Sequence, residues 1–148
     1  MLLLASMATA ARAETLVERV LADVSGEPVL LSEVVLVERV KHLDRAAALE
    51  ADLDQRLMYQ EASRLPQAVL SATEAQAACD DLTRKVPELA DDPALCALAR
   101  REAVVLKYIG LRFVHEQPAA EELSLDARIE EWVKDLRSAA SIRYNAGP

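Results

Sequence analysis

Glycine and aromatic residues are scarce in this chain of 148 residues, which has three glycines and an aromatic fraction of 3%. So few glycines argue against the many tight turns of a β-sandwich and against a collagen-like repeat. They also cannot build the glycine-rich loop that binds phosphate groups. Hydrophobic residues, mainly alanine, leucine and valine, make up 52% of the chain. The composition is therefore typical of a single, mostly helical domain with one core.

Basic residues are few relative to acidic ones. The chain has 17 Lys and Arg residues against 25 Asp and Glu residues, which gives a formal net charge of -8. Proteins that bind nucleic acid or anionic membrane surfaces need a basic surface to neutralise phosphates. Both are therefore poor candidate partners, whereas a neutral or basic polypeptide is compatible with this charge.

Residue patterns that carry out catalysis or bind metals are also missing from the sequence. His42 and His115 have no Ser, Cys or Asp at a recognisable spacing, and both fit the C-terminal ends of helices. Four acidic pairs lack the alternating oxygen ligands of a calcium loop and flank predicted helices: Asp80 and Asp81, Asp91 and Asp92, Glu121 and Glu122, and Glu130 and Glu131. We therefore predict no catalytic residue, no cofactor and no metal site, and a protein that is not an enzyme.

The N-terminal segment has features of an export signal. Residues 2–11 form a short apolar run, and Ala11, Arg12 and Ala13 have the small-x-small pattern that signal peptidase cuts after. A positively charged segment before the run is missing, and a buried N-terminal helix is the alternative interpretation. We expect cleavage after Ala13, a single mature domain over residues 14–148, and a periplasmic location. No other stretch approaches the roughly 20 apolar residues that span a bilayer.

The two cysteines, Cys79 and Cys96, lie 17 positions apart, without the spacing of a redox motif or nearby histidine ligands. An oxidising periplasm would permit a structural disulfide between them. Two buried free thiols are the alternative, because sequence spacing does not show whether the Cα atoms come within bridging distance.

Hydrophobic spacing predicts a hairpin, five helices and a final strand. Alternation over residues 20–24, a break at 25–28 and a second run over 29–31 predict the hairpin. Helical periodicity predicts five helices, over residues 33–43, 46–65, 71–86, 93–116 and 125–138. Capping signals mark three of the starts: Ser32 and Asp92 as N-caps of the first and fourth helices, and a capping box of Ser71 and Glu74 in the third. Pro66 ends the second helix. Gly110 in the fourth helix suggests close packing or a bend.

A strand over residues 141–144 would complete the small sheet. A lone hairpin is marginally stable in water and has open edges, so a third strand would both stabilise and shield it. Trp132 is the only tryptophan of the chain. We expect it to be a core residue of the fifth helix that packs near the hairpin.

The order of these elements resembles the SurA family of periplasmic chaperones. Residues 20–34 are similar to the family's opening strand, glycine-containing turn, second strand and first helix. Later segments are similar to its second helix, third helix, long helix, and C-terminal helix and strand: 53–62, 70–74, 100–106, 129–137 and 142–144. The parvulin domains that the family places between the long helix and the C-terminal helix are absent, because only residues 117–123 separate the two here.

The resemblance implies a chaperone core without prolyl isomerase activity. Such a protein would hold unfolded or partly folded polypeptides, including outer-membrane protein precursors, and could form homo-oligomers. A second hydrophobic helix face suggests client contacts at Met58, Tyr59, Tyr108 and Phe113. The alternative is a dedicated structural or assembly partner of one envelope or secretion protein, in which the same surface is permanently filled.

Overall fold

A computed structural model describes residues 18–114 and 123–145. These residues form three strands and five α-helices: β1 Val20–Val24, β2 Glu27–Leu30, α1 Leu31–Lys41, α2 Arg45–Ala62, α3 Ala72–Lys85, α4 Leu95–Ile109, α5 Leu125–Ala139 and β3 Ile142–Tyr144. The predicted fold class, a mostly helical module with an N-terminal hairpin completed by a C-terminal strand, is confirmed. The predicted leader over 1–13, His115, and Glu121 and Glu122 lie outside the described residues.

The hairpin turn is tighter than predicted. Only Ser25 and Gly26 lie between the strands, with φ angles of 52° and 90°, the paired positive values of a type I′ turn. The amide of Gly26 donates to Asp23 Oδ1 at 2.9 Å. Pro28 belongs to β2 instead of the turn, which is tolerated because β2 is an edge strand and needs fewer amide donors.

The C-terminal strand pairs with β1, as predicted, and gives the strand order β2-β1-β3. The pairing is antiparallel, with Val24 opposite Ile142. Two further backbone bonds extend it: the Ser25 amide donates to the Ser141 carbonyl at 2.7 Å, and the Asn145 amide donates to the Leu21 carbonyl at 2.9 Å.

Helix α1 begins earlier than predicted, with Leu30 as its N-cap instead of Ser32. Glu33 Oε2 accepts a hydrogen bond from the Leu30 amide at 2.9 Å. Ser32 donates through its hydroxyl and its amide to Glu18, at 2.7 and 3.2 Å. The Ser32 hydroxyl bond is the main reason why the pKa of Glu18 is lowered. The helix ends at His42, which has a left-handed C-cap conformation with a φ of 54°.

Helices α2 and α3 differ in how well their ends were predicted. Helix α2 stops at Ala62 instead of continuing to Leu65, because Pro66 restricts Leu65 to an extended conformation. Helix α3 starts at the predicted capping box of Ser71 and Glu74. Backbone hydrogen bonding to Ser71, followed by the bond from Lys107, lowers the pKa of Glu74 to about 2.

The predicted N-cap of α4 is wrong. Asp92 lies in a turn, where its Oδ1 accepts from the Ala94 amide at 2.9 Å, and the N-cap is Ala94. Regular α-helix ends at Ile109, and Gly110–Val114 continue with π-helical winding. A Cβ added at Gly110 would meet nothing within 4 Å, so close packing does not explain this glycine. The change in winding begins at this residue, and the alternative expectation of a bend stays a prediction.

Two hydrophobic clusters fill the interior. The larger joins the sheet, α1, α2 and the start of α4, and the smaller contains Ala62, Ala68, Tyr108, Phe113 and Trp132. Trp132 is buried as predicted, but its expected position near the hairpin is wrong. One helical turn later, Leu136 packs against both clusters. None of the helices in the described ranges combines the length and apolar character needed to cross a bilayer.

Helices α3 and α4 are linked covalently. Cys79 on the buried face of α3 and Cys96 near the start of α4 are joined by a disulfide, with Cα atoms 4.6 Å apart. That separation lies within the normal range for disulfides. In the chain-entropy model, a loop of this size stabilises the fold by about 3 kcal/mol.

We expect protein isolated from an oxidising compartment to show no free thiol when it is denatured and labelled without reductant. Reductant should lower its melting temperature, because the unfolded chain gains conformational freedom. A variant with both Cys79→Ser and Cys96→Ser should melt at the same temperature with and without reductant. Two labelled thiols in the unreduced protein would contradict the disulfide.

Deleting residues 139–148 should lower the free energy of unfolding by about 2–4 kcal/mol while most helix content remains. The deletion exposes β1 and removes Ile142 from the larger cluster. Thermal melts followed by circular dichroism measure this. Tyr144→Phe is the milder comparison, since it removes the hydroxyl that bonds to the Glu50 carboxylate, 3.0 Å from Oε1 and 3.2 Å from Oε2, and leaves the strand in place. A truncated protein that melts like the full chain would show that β3 contributes nothing to stability.

Candidate functional site

A groove of about 380 Å³ opens between α1, α2 and α4. Both α1 and α4 pack against α2, and the groove lies between their facing sides. Apolar side chains form most of its surface, and polar groups stand among them: Leu36, Val37, Ala94, Ala97, Leu98 and Val104, with Glu33, Tyr59, Arg100 and Arg101.

The groove exists because large and small side chains are distributed unevenly on α1 and α4. Leu36 and Val37 of α1 and Leu98 of α4 line the groove and are almost fully buried. Ala94 and Ala97 lie one turn or less before Leu98, and their single methyl groups leave space unfilled. Larger residues at these two positions would close the groove by contacting α1.

A buried carboxylate holds the helices around the groove in place. The Asp52 side chain has no solvent exposure and lies between two arginines. Its Oδ2 accepts from Arg56 Nε at 2.7 Å, and its Oδ1 accepts from Arg101 Nη2 at 2.8 Å. Since α2 carries Asp52 and Arg56 and α4 carries Arg101, this ion pair fixes α4 against α2.

Arg56 extends the network to α1 and the hairpin. Its Nη2 lies 2.6 Å from Glu33 Oε2, and its Nη1 donates to the Pro28 carbonyl at 3.4 Å. Burial alone would lower the pKa of Arg56, but the nearby Asp52 and Glu33 carboxylates raise it above its ordinary value. The guanidinium therefore stays charged and joins three elements of the fold.

The two arginines on α4 differ in their surroundings. Arg101 is mostly buried and shares Asp52 with Arg56, while its Nε has no hydrogen-bond partner among the residues that the structure describes. Arg100 is exposed at the groove. Within 18–114 and 123–145 its side chain makes no hydrogen bond or ion pair. A positive charge without an ion-pair partner among the described residues therefore lines the groove.

A second feature is an aromatic cluster on the far part of α4. Trp132 stacks on Tyr108 with ring centroids 5.2 Å apart and contacts Phe113 at 5.6 Å. The guanidinium of Arg112 lies 5.3–5.8 Å from all three ring centroids and donates to the Tyr108 hydroxyl at 2.7 Å. The cluster anchors α5 to α4, because Trp132 lies on α5 and its partners lie on α4 and the π-helical turn.

The four side chains predicted to contact clients are divided between core and groove. Tyr108 and Phe113 are buried in the aromatic cluster, with exposed fractions of 6% and 8%, and Met58 packs against it. These three have a structural role in the native fold. Tyr59 is 38% exposed and lines the groove, and Met58 is half-buried, so the role of these four side chains in client contact stays a prediction.

Sequence reasoning missed most of the groove, including its arginines. Two local signals were present: the small residues Ala94 and Ala97 close to Leu95 and Leu98, and two adjacent arginines in an acidic chain. The spacing of Asp52 and Arg56, one helical turn apart, signalled an ion pair without indicating that it is buried.

The structure shows no cluster suited to a metal ion among the described residues, where no group of three or more His, Cys, Asp or Glu side chains converges. Asp80 accepts from Gln76 Nε2 at 2.8 Å, and Asp81 pairs with Lys85 at 2.7 Å.

Comparisons with protein-family models, curated proteins and solved structures find no match to this chain. The resemblance to the SurA family therefore stays a prediction from the sequence.

Replacing Asp52 by Ala should lower the free energy of unfolding by about 3–5 kcal/mol, because Arg56 and Arg101 would remain buried without their shared carboxylate. Chemical denaturation measures this difference. Asp81→Ala is the matched control: it also breaks an ion pair with a residue four positions later, Lys85, but on an exposed surface, so its effect should be small. Equal effects of the two substitutions would contradict a central role for Asp52.

Proposed function

We propose that this chain is a SurA-like periplasmic holdase. It binds unfolded or partly folded polypeptides, such as outer-membrane protein precursors, and has no prolyl isomerase activity. The observation that carries the proposal is the solvent-open apolar groove between α1, α2 and α4. A concave, mostly apolar groove of about 380 Å³ has the size and character to accept a few apolar side chains.

Apolar contact in the groove supplies the binding energy. Side chains of an extended client lie on the surface formed by Leu36, Val37 and Leu98, and full burial of one large apolar side chain is worth about 1.5–3 kcal/mol. A groove of this size accepts only a few side chains, and ordering the client opposes binding. Each contact is therefore weak and reversible, which suits a protein that must release its clients.

The acidic character of the chain suits the same role. A formal net charge of -8 keeps the protein soluble while apolar surface is open to solvent. By binding unfolded chains, the protein lowers the concentration of free aggregation-prone segments. No nucleotide or covalent chemistry is required for this activity.

The test is suppression of aggregation of several unrelated outer-membrane proteins diluted from denaturant, followed by light scattering. Ala97→Trp should reduce protection several-fold, because the exposed Ala97 lines the groove and an indole ring would fill it. Ala77→Trp is the control, since Ala77 is an exposed alanine of α3 outside the groove. Circular dichroism verifies that both variants are folded.

Three results separate the alternatives. Protection of several clients that is lost only in Ala97→Trp supports the holdase. Protection of a single protein supports a dedicated assembly partner whose target fills the groove permanently. Equal protection by both variants, or protection of none of the proteins by the unmodified chain, overturns the proposal.

A further inference from the structure

The net charge around the groove differs in sign from the net charge of the whole chain. Glu33, Asp52, Arg56 and Arg101 form one connected network of two carboxylates and two guanidinium groups, so their formal charges cancel. Arg100 adds one positive charge at the groove and is not compensated by any residue that the structure describes. The groove is therefore locally positive, although the chain has a formal net charge of -8.

A second observation on the same helix points in the same direction. Arg101 shares its only carboxylate partner, Asp52, with Arg56, and its Nε is buried without a hydrogen-bond partner among the described residues. Among the described residues Arg101 thus pairs with one carboxylate, whereas Arg56 pairs with two. Two consecutive arginines make this wall of the groove attractive to an anionic group.

The dimensions define what kind of segment fits. Ala94 and Val104 mark the ends of the α4 wall, and ten helical residues span about 15 Å. An extended chain covers this length with roughly four or five residues. Such a segment can place apolar side chains on Leu36, Val37 and Leu98 while one side chain reaches Arg100.

We propose that the groove selects extended apolar segments that carry an aspartate or glutamate, whose carboxylate pairs with Arg100. This inference rests on the proposed function, because it specifies the clients of the same groove. The proposed preference for acidic segments is the opposite of what the net charge would favour, because a negatively charged chain attracts basic polypeptides at long range. Apolar contact supplies most of the affinity, and Arg100 selects among apolar segments.

Three short fluorescent peptides test the inference. They share a sequence of Val, Leu, Thr and Phe and differ only at a central Glu, Gln or Lys. Fluorescence anisotropy with the full chain should show about three- to fivefold tighter binding of the Glu peptide than of the Gln peptide, as expected for one exposed ion pair. The Lys peptide should bind most weakly, and added salt should reduce the differences.

Arg100→Gln should remove the preference for Glu, so that the Glu and Gln peptides bind this variant equally. Arg39→Gln is the matched control, because Arg39 is an exposed arginine of α1 that does not line the groove, and it should keep the preference. If the unmodified chain binds the Glu and Gln peptides equally, or if the preference for Glu persists in Arg100→Gln, this inference is overturned and the holdase proposal stands. If no peptide binds and no client is protected, both proposals fall.

Discussion

The buried carboxylate of Asp52 is the constraint on which the arrangement of the helices depends. Removing a carboxylate from water costs several kcal/mol unless cationic partners surround it. Arg56 from the same helix and Arg101 from α4 supply those partners at 2.7 and 2.8 Å. Arg56 in turn reaches Glu33 on α1 and the Pro28 carbonyl on β2. The hairpin, α1 and α4 are therefore all positioned relative to one group on α2.

The groove follows from this arrangement. Because α1 and α4 are both held against α2, their facing sides are fixed at a distance that larger side chains would have filled. Ala94 and Ala97 leave the space open, and Leu36, Val37 and Leu98 line it with apolar surface. The same network supplies Arg101 to the groove wall. Structural ion pairing and the proposed binding surface thus share residues, which makes the site part of a rigid scaffold.

The aromatic cluster performs a different task. Tyr108, Phe113 and Trp132 attach α5 to α4, and Leu136 on the next turn contacts the larger cluster. Further along α5, Arg137 forms ion pairs with Glu50 and Asp54 of α2. Burial alone would lower the pKa of Arg137, but its hydrogen bonds to these carboxylates raise it. Helix α5 thereby carries β3 back to the sheet and closes the fold.

Local sequence signals determined the type and order of the elements. Period-two and helical spacing, the capping box at Ser71 and the stop before Pro66 act within a few residues, so they can be recognised without a structure. Several element ends were nevertheless predicted wrongly. Ser32 looked like an N-cap, yet it bonds to Glu18, 14 residues away, and Asp92 closes a turn before the helix.

The sequence by itself determined a mostly helical chain with a hairpin, a returning strand and an acidic charge. Only the tertiary structure decided that Trp132 packs with Tyr108 and Phe113 instead of near the hairpin, that Asp52 is buried, and that Ala94 and Arg100 stand at a groove. The physical reason is that periodicity shows which face of a helix is apolar but not which other face covers it. Burial and charge pairing depend on that choice of partner, which is made between residues far apart in the chain.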